Sequence, residues 1–231
     1  MKFHKKNFFE KYLLKWEIFP LLTILAANCA IYWGSSILTS NRYHYDFTLG
    51  FDRAVPLIPE FVWIYLLAFP FWAAGYILVG QRGKETFYRF TATDLTVHLA
   101  CFILFLLIPT TNVRPELPGG SPAEKVLQLV YDMDGGSSPS NLFPSIHCYV
   151  SWLCWRGIAG AKEIPKWYQN FCLVFAVLVI ISTQVLKQHY LVDAVAGVVL
   201  VELAWHFYRK KSRYQGAENF FEKLNKMIFK I

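Results

Sequence analysis

The chain has 231 residues, of which 55% are hydrophobic, 18% aromatic and only 17% charged. That balance excludes an ordinary soluble domain, because no polar stretch is long enough to build one. The net charge of +7 would suit nucleic acid, but its confinement to short segments between apolar blocks points to a membrane surface and away from nucleic acid.

The apolar residues fall in blocks of about 17 to 22, the length of a helix that crosses a bilayer. A basic, aromatic leader, MKFHKKNFFEKYLLKWE (1–17), reads as an interfacial helix. Spans are expected over 18–38, 60–79, 94–109, 143–160, 167–182 and 190–208. Between the first two, NRYHYDFTLGFDRAVPLIP has the aromatics and prolines of a segment lying in the interface. Residues 110–142 are rich in Gly, Pro and Ser and read as a long loop; within it DMDGGSS reads as a turn rather than a metal site. A basic tail covers 209–231. The expected fold is all-α: one polytopic domain over 1–231 with six transmembrane helices. Cys29, Cys101, Cys148, Cys154 and Cys172 lie in or beside apolar blocks without a CxxC pair, so free buried thiols are expected.

Lysine and arginine give the expected orientation. Six spans put both termini on one side. The leader, QRGKETFYRF, the region 156–166 and the tail carry eighteen Lys/Arg on that side, and five lie on the other. The positive-inside rule then places both termini in the cytoplasm of a multi-pass cell-membrane protein.

Three pieces of sequence fall on the opposite, outer face. The first is Arg114-Pro115. The second is FPSIH: Pro144 suits the first turn of a helix, and the free N–H groups of that turn with the Ser145 hydroxyl would cradle an anion close to His147. The third is STQVLKQHYLVD. His189 and Asp193 stand at i, i+4 on one helix face. The carboxylate is expected to accept the His189 Nδ1–H, leaving Nε2 free as a nucleophile. Lys187, on the preceding turn, would reach an anionic oxygen. Fixed positive charge, hydroxyl and backbone donors, two histidines and a carboxylate suit phosphoryl transfer, where catalysis is mostly positioning and charge neutralisation.

These residues resemble the membrane type 2 phosphatidic acid phosphatase (PAP2) superfamily, whose site is shared with vanadium haloperoxidases. The family motifs are K-x6-RP, PSGH and SR-x5-H-x3-D. Here they become Arg114-Pro115, Pro144-Ser145-Ile146-His147, and Ser182-Thr183 followed by His189 and Asp193. Leu107 stands where the lysine is expected, Ile146 where the glycine is, and Thr183 where the arginine is. The FPSxH and KQHxxxD forms are most similar to the inositol phosphorylceramide synthase-like branch. The resemblance implies that His189 attacks phosphorus to form a phosphohistidine, that Asp193 orients it, and that His147 protonates the leaving alkoxide. Arg114, Lys187, Ser145 and Ser182 would bind the phosphate oxygens. It implies no metal and no cofactor. The substrate would be a lipid phosphate or diphosphate monoester in the bilayer. Headgroup transfer to an alcohol, and a non-catalytic protein on a degenerate site, stand as alternatives.

Overall fold

The computed structural model describes residues 14–136 and 139–229. In chain order its helices are α1 (Ile18–Thr39), α2 (Gly50–Ala54), α3 (Val62–Gln81), α4 (Lys84–Leu107), α5 (Pro122–Met133), α6 (Ile146–Ile158), α7 (Lys166–Val185), α8 (Leu191–Phe207) and α9 (Lys211–Phe229). Two short strands, β1 (Tyr45–Asp46) and β2 (Thr110–Thr111), pair in parallel.

Among the described residues four helices are long and apolar enough to cross a membrane: α1 with the short turn before it, α3 with the turn 59–61, α4, and α7. A fifth span is obtained only by joining α8 and α9 across a 93° bend. The helix that carries His147 does not qualify. At 13 residues, α6 is about 20 Å long, against roughly 30 Å of hydrocarbon. Its surroundings explain how a short helix is stable there. It packs against α3, α4, α7 and α8, and Tyr149, Leu153 and Ile158 are buried in the main core with Val79, Phe90 and Val201. Each such side chain contributes about 1.5–3 kcal/mol on burial. Protein rather than lipid forms its wall.

The outer helices show the complementary pattern. Leu191, Val195, Val199 and Leu203 are exposed along one face of α8, and Phe171, Val174, Val177 and Ile181 along α7. Apolar stripes at helical spacing that face away from the protein are the surface a bilayer covers.

Three sequence expectations are corrected. The third span begins at Lys84, not at residue 94. Gly83, at φ 105°, breaks the chain after α3, and the polar first turns of α4 find partners on neighbouring helices: Lys84 Nζ donates to Glu222 at 2.7 Å and Arg89 to the Trp205 carbonyl at 2.8 Å. The loop 110–142 contains α5, started by a capping box in which Ser121 Oγ accepts the Glu124 N–H and Glu124 accepts the Ser121 N–H. Ala123, Leu127 and Tyr131 form its buried face. The basic tail is the helix α9, whose Tyr214 and Phe221 pack on Tyr88 and Ala92 of α4. Most of the expected leader helix, 1–13, lies outside the described residues. All five cysteines are free, and four of them are buried.

Candidate active site

The first turns of α6 and α8 meet at one end of the bundle. Ser145 caps α6, its Oγ accepting the Cys148 N–H at 3.3 Å. Pro144 therefore stands just before the cap rather than inside the first turn. The cap is tied to α8 through the backbone: the Ser145 N–H donates to the Asp193 carbonyl at 3.1 Å. The close approach requires a residue without a side chain on α8. A Cβ on Gly197 would stand 2.9 Å from the Ser145 carbonyl oxygen and 3.3 Å from the Tyr149 nitrogen.

This junction brings the two imidazoles together, with ring centroids 6.2 Å apart and ring planes inclined by 46°. That span accommodates a tetrahedral phosphorus between two ring nitrogens. His147 sits in an aromatic box. Its ring stacks on Tyr65 at 4.3 Å and 18°, and Trp72 and Phe69 close the sides at 5.0 and 5.7 Å. Its Nδ1 is 3.5 Å from the Tyr65 hydroxyl. Its Nε2 is buried and has no hydrogen-bond partner among the described residues, so the one polar atom left over is the one a substrate can use.

His189 is held differently from the sequence expectation. Its Nδ1 is 3.0 Å from the Leu142 carbonyl oxygen and 3.6 Å from Asp193 Oδ2. The carbonyl makes the hydrogen bond; the carboxylate is beyond hydrogen-bond range and acts through charge. Asp193 Oδ2 instead accepts the Tyr190 N–H at 2.9 Å, which caps α8. A proton on Nδ1, donated to the Leu142 carbonyl, would leave the lone pair on Nε2. Leu142 is braced in turn, because Thr110 Oγ1 accepts the N–H groups of Leu142 and Phe143 at 3.1 and 2.9 Å. Thr110 and Leu142 carry no sequence signal for such a role, since one contributes a packing hydroxyl and the other only a backbone oxygen.

Of the four residues expected to hold phosphate, Ser145 caps α6, Ser182 and Lys187 are engaged elsewhere, and Arg114 keeps only its Nε unpartnered among the described residues. Ser182 Oγ donates to the Val179 carbonyl at 2.7 Å inside its own helix. Lys187 adopts a left-handed backbone, φ 53°, and its ammonium donates to the carbonyls of Asp52 and Val55 at 2.7 and 2.5 Å. Burial pulls its pKa below the usual lysine value, and the nearby Asp52 carboxylate opposes that shift. Asp52 Oδ1 accepts the Leu191 N–H at 2.9 Å. Lys187 and Asp52 thus fasten the loop before α3 to the start of α8, because two carbonyl acceptors satisfy the ammonium where it stands.

Arg114 is 7% exposed, and four of its five N–H groups are used inside the protein. One terminal nitrogen donates to the carbonyls of Tyr131, Asp134 and Gly136 at 3.0–3.1 Å. The other contacts the Asp134 carboxylate and Gln188 Oε1 at 2.6 Å. The guanidinium also lies over the Tyr131 ring at 4.6 Å. Asp134, which ends α5, is therefore a counter-ion as well as a turn residue, and it also accepts the Tyr32 hydroxyl. Tyr131 extends the brace by donating to the Leu186 carbonyl at 2.6 Å; burial pushes its phenol up to about 12, against the pull of Arg114, so it remains a donor throughout the neutral range.

At this end of the bundle Arg114 Nε and Gln188 Nε2 are buried donors with no partner among the described residues. Gln188 precedes His189 and touches Arg114. With the first-turn N–H groups of Ile146 and His147, which a helix leaves unpaired, these form the donor set beside the two histidines. Sequence reasoning missed Tyr65 and Gln188. Their only signal was position, Gln188 next to the histidine and Tyr65 inside an apolar span.

A family model described as the PAP2 superfamily matches residues 47–207, more than two thirds of the chain, and the match spans both histidines, Arg114 and Asp193. Neither the curated proteins nor the solved structures give a match.

Proposed function

The chain belongs to the PAP2 superfamily, a group of phosphoesterases, and on that footing we propose that it hydrolyses a lipid phosphate or diphosphate monoester through a phosphohistidine on His189. The observation that carries the proposal is the pair of imidazoles 6.2 Å apart, one with its Nδ1 tied to a carbonyl and the other with a buried, unpartnered Nε2.

In this mechanism the His189 Nε2 lone pair attacks phosphorus and the bond to the leaving oxygen breaks. His147 delivers its Nε2 proton to that oxygen, and the lipid alcohol departs. The phosphohistidine ring carries positive charge while Nδ1 keeps its proton, and the Asp193 carboxylate at 3.6 Å stabilises it. His147, now a base, takes a proton from water as that water attacks phosphorus, and inorganic phosphate leaves. Arg114 Nε, Gln188 Nε2 and the N–H groups at the start of α6 would hold the equatorial oxygens. Every role is filled by side chains and backbone of this chain.

The proposal includes the membrane arrangement read from the sequence: six crossings, with α6 and α8 shorter than the rest and α6 walled by protein, both termini cytoplasmic, and the histidines at the outer surface. The excess of Lys/Arg at the other end of the bundle supports it.

The test is phosphate release from a panel of lipid phosphates by purified protein in detergent, with EDTA present and vanadate as inhibitor. The expected result is EDTA-resistant, vanadate-sensitive release that His189→Ala abolishes. Turnover retained in His189→Ala would overturn the proposal. A new phosphodiester formed only when an alcohol is added, without phosphate release, would reassign the chemistry to transfer.

A further inference from the structure

A polar cavity of about 520 Å³ lies at the other end of the bundle. It is lined by Arg82, Arg89, Arg156 and Arg209, together with Glu85 and Glu202. From His147 to Arg156 along α6, and from Asp193 to Trp205 along α8, the separation is about 14 to 18 Å at 1.5 Å per residue. The two sites share helices but not residues.

The charges in this cavity do not cancel. Arg82 pairs with Glu163 at 2.6 Å and Arg156 with Glu202 at 3.0 Å. Glu85 accepts the Tyr214 hydroxyl at 3.2 Å. Arg89 and Arg209 have no ion-pair partner among the described residues. Arg89 is fixed in place: one terminal nitrogen donates to the Trp205 carbonyl at 2.8 Å, and its guanidinium lies 3.9 Å from the centre of the Trp205 ring. Its Nε is buried and unpartnered among the described residues, in the field of both Arg156 and Arg209. A buried, unsatisfied charged donor is costly, and an anion oxygen relieves that cost. A guanidinium held over an indole in this way can present its remaining N–H groups in the fork geometry that suits phosphate.

We propose that this cavity is a second anion site, binding a phosphate-bearing group through Arg89 and Arg209. Its volume exceeds that of phosphate alone and admits a headgroup. Leu203 and Phe207, exposed on α8, flank the cavity residues Glu202 and His206 and offer an apolar surface to acyl chains. The site thus suits the phosphodiester of an anionic phospholipid, or free phosphate entering the same arginine pair. It is independent of the chemistry proposed at the histidines.

The experiment is a binding titration of the full-length protein in neutral detergent with three probes: short-chain phosphatidylglycerol, diacylglycerol of the same chain length, and inorganic phosphate. Saturable binding of phosphatidylglycerol but not diacylglycerol is expected. Arg89→Gln should weaken it by about tenfold, the loss of one charge-assisted pair. Arg209→Gln, at an exposed position that braces no other helix, should weaken it in the same direction and guards against a folding defect in the first variant. His147→Ala should leave it unchanged, which assigns the binding to this end of the bundle. Phosphate binding with the same arginine dependence would identify the free anion as a ligand; phosphatidylglycerol alone would identify the lipid. If neither anion binds, or if binding depends on His147 and ignores both arginines, the proposal fails.

Discussion

Asp193→Asn separates the two groups that hold His189. The Leu142 carbonyl is 3.0 Å from Nδ1 and the Asp193 carboxylate 3.6 Å. If the carbonyl sets the tautomer, asparagine removes a charge and leaves the imidazole poised. The charge term follows from the 3.6 Å separation: at an effective dielectric of 20, a full positive charge on the ring gains about 5 kcal/mol from the carboxylate. The asparagine dipole recovers part of this, so the expected fall in kcat is about 10²- to 10³-fold at 1.36 kcal/mol per decade. Asp193→Ala loses the same charge and also the cap on the Tyr190 N–H, which costs about a further 1 kcal/mol in stability. The assay is single-turnover phosphate release for both variants beside His189→Ala, with thermal unfolding in parallel. Asparagine should retain measurable turnover and nearly native stability, and alanine should be slower still and less stable by about 1 kcal/mol. A loss in Asp193→Asn as complete as that in His189→Ala would refute the reasoning, since it would mean that the carboxylate fixes the tautomer. Unchanged activity would refute it from the other side, by showing that the ring never carries the charge.

Gly197→Ala places a methyl 2.9 Å from the Ser145 carbonyl and must push α6 and α8 apart. Since a displacement near 1 Å costs about 10²-fold in rate, kcat should fall by that order with much of the stability retained, and a kinetic assay beside a melting curve checks it. Lys187→Ala removes two charge-assisted hydrogen bonds to loop carbonyls. It should lower stability by about 2–3 kcal/mol while leaving KM within a few-fold of native; a large rise in KM with native stability would restore Lys187 as a phosphate ligand. Tyr65→Phe keeps the ring stacked on His147 and removes the hydroxyl near Nδ1. The pH–rate profile should stay bell-shaped, because a neutral nucleophile and a protonated acid are both still required, but the limb belonging to the acid should move. A profile identical to native would limit Tyr65 to packing.

Much of this protein is legible along the chain. Continuous apolar blocks dictate helices, and α1, α3 and α7 begin and end within a few residues of their hydropathy limits, because a lipid-facing helix must be apolar over its whole length. The candidate residues are legible too: FPSIH and KQHxxxD lead to His147 and Asp193 in the first turns of α6 and α8, with His189 in the turn just before α8 rather than on its face, and the PAP2 superfamily match covers all three. What tertiary packing decided is the partner of each polar group. α5 was hidden because its buried face is only three residues deep in a Gly- and Pro-rich segment. The polar start of α4 was hidden because its charges are satisfied by α9 and α8, far away in sequence. Lys187 and Arg114 read as free cations, since a sequence displays charge but not the carbonyl oxygens that backbone folding brings to it. Leu142 was invisible for the converse reason: every residue has a carbonyl, and only the fold determines which one lies 3.0 Å from an imidazole. Residue type and spacing limit what a side chain can do, while long-range contacts between segments determine which of those possibilities is left open.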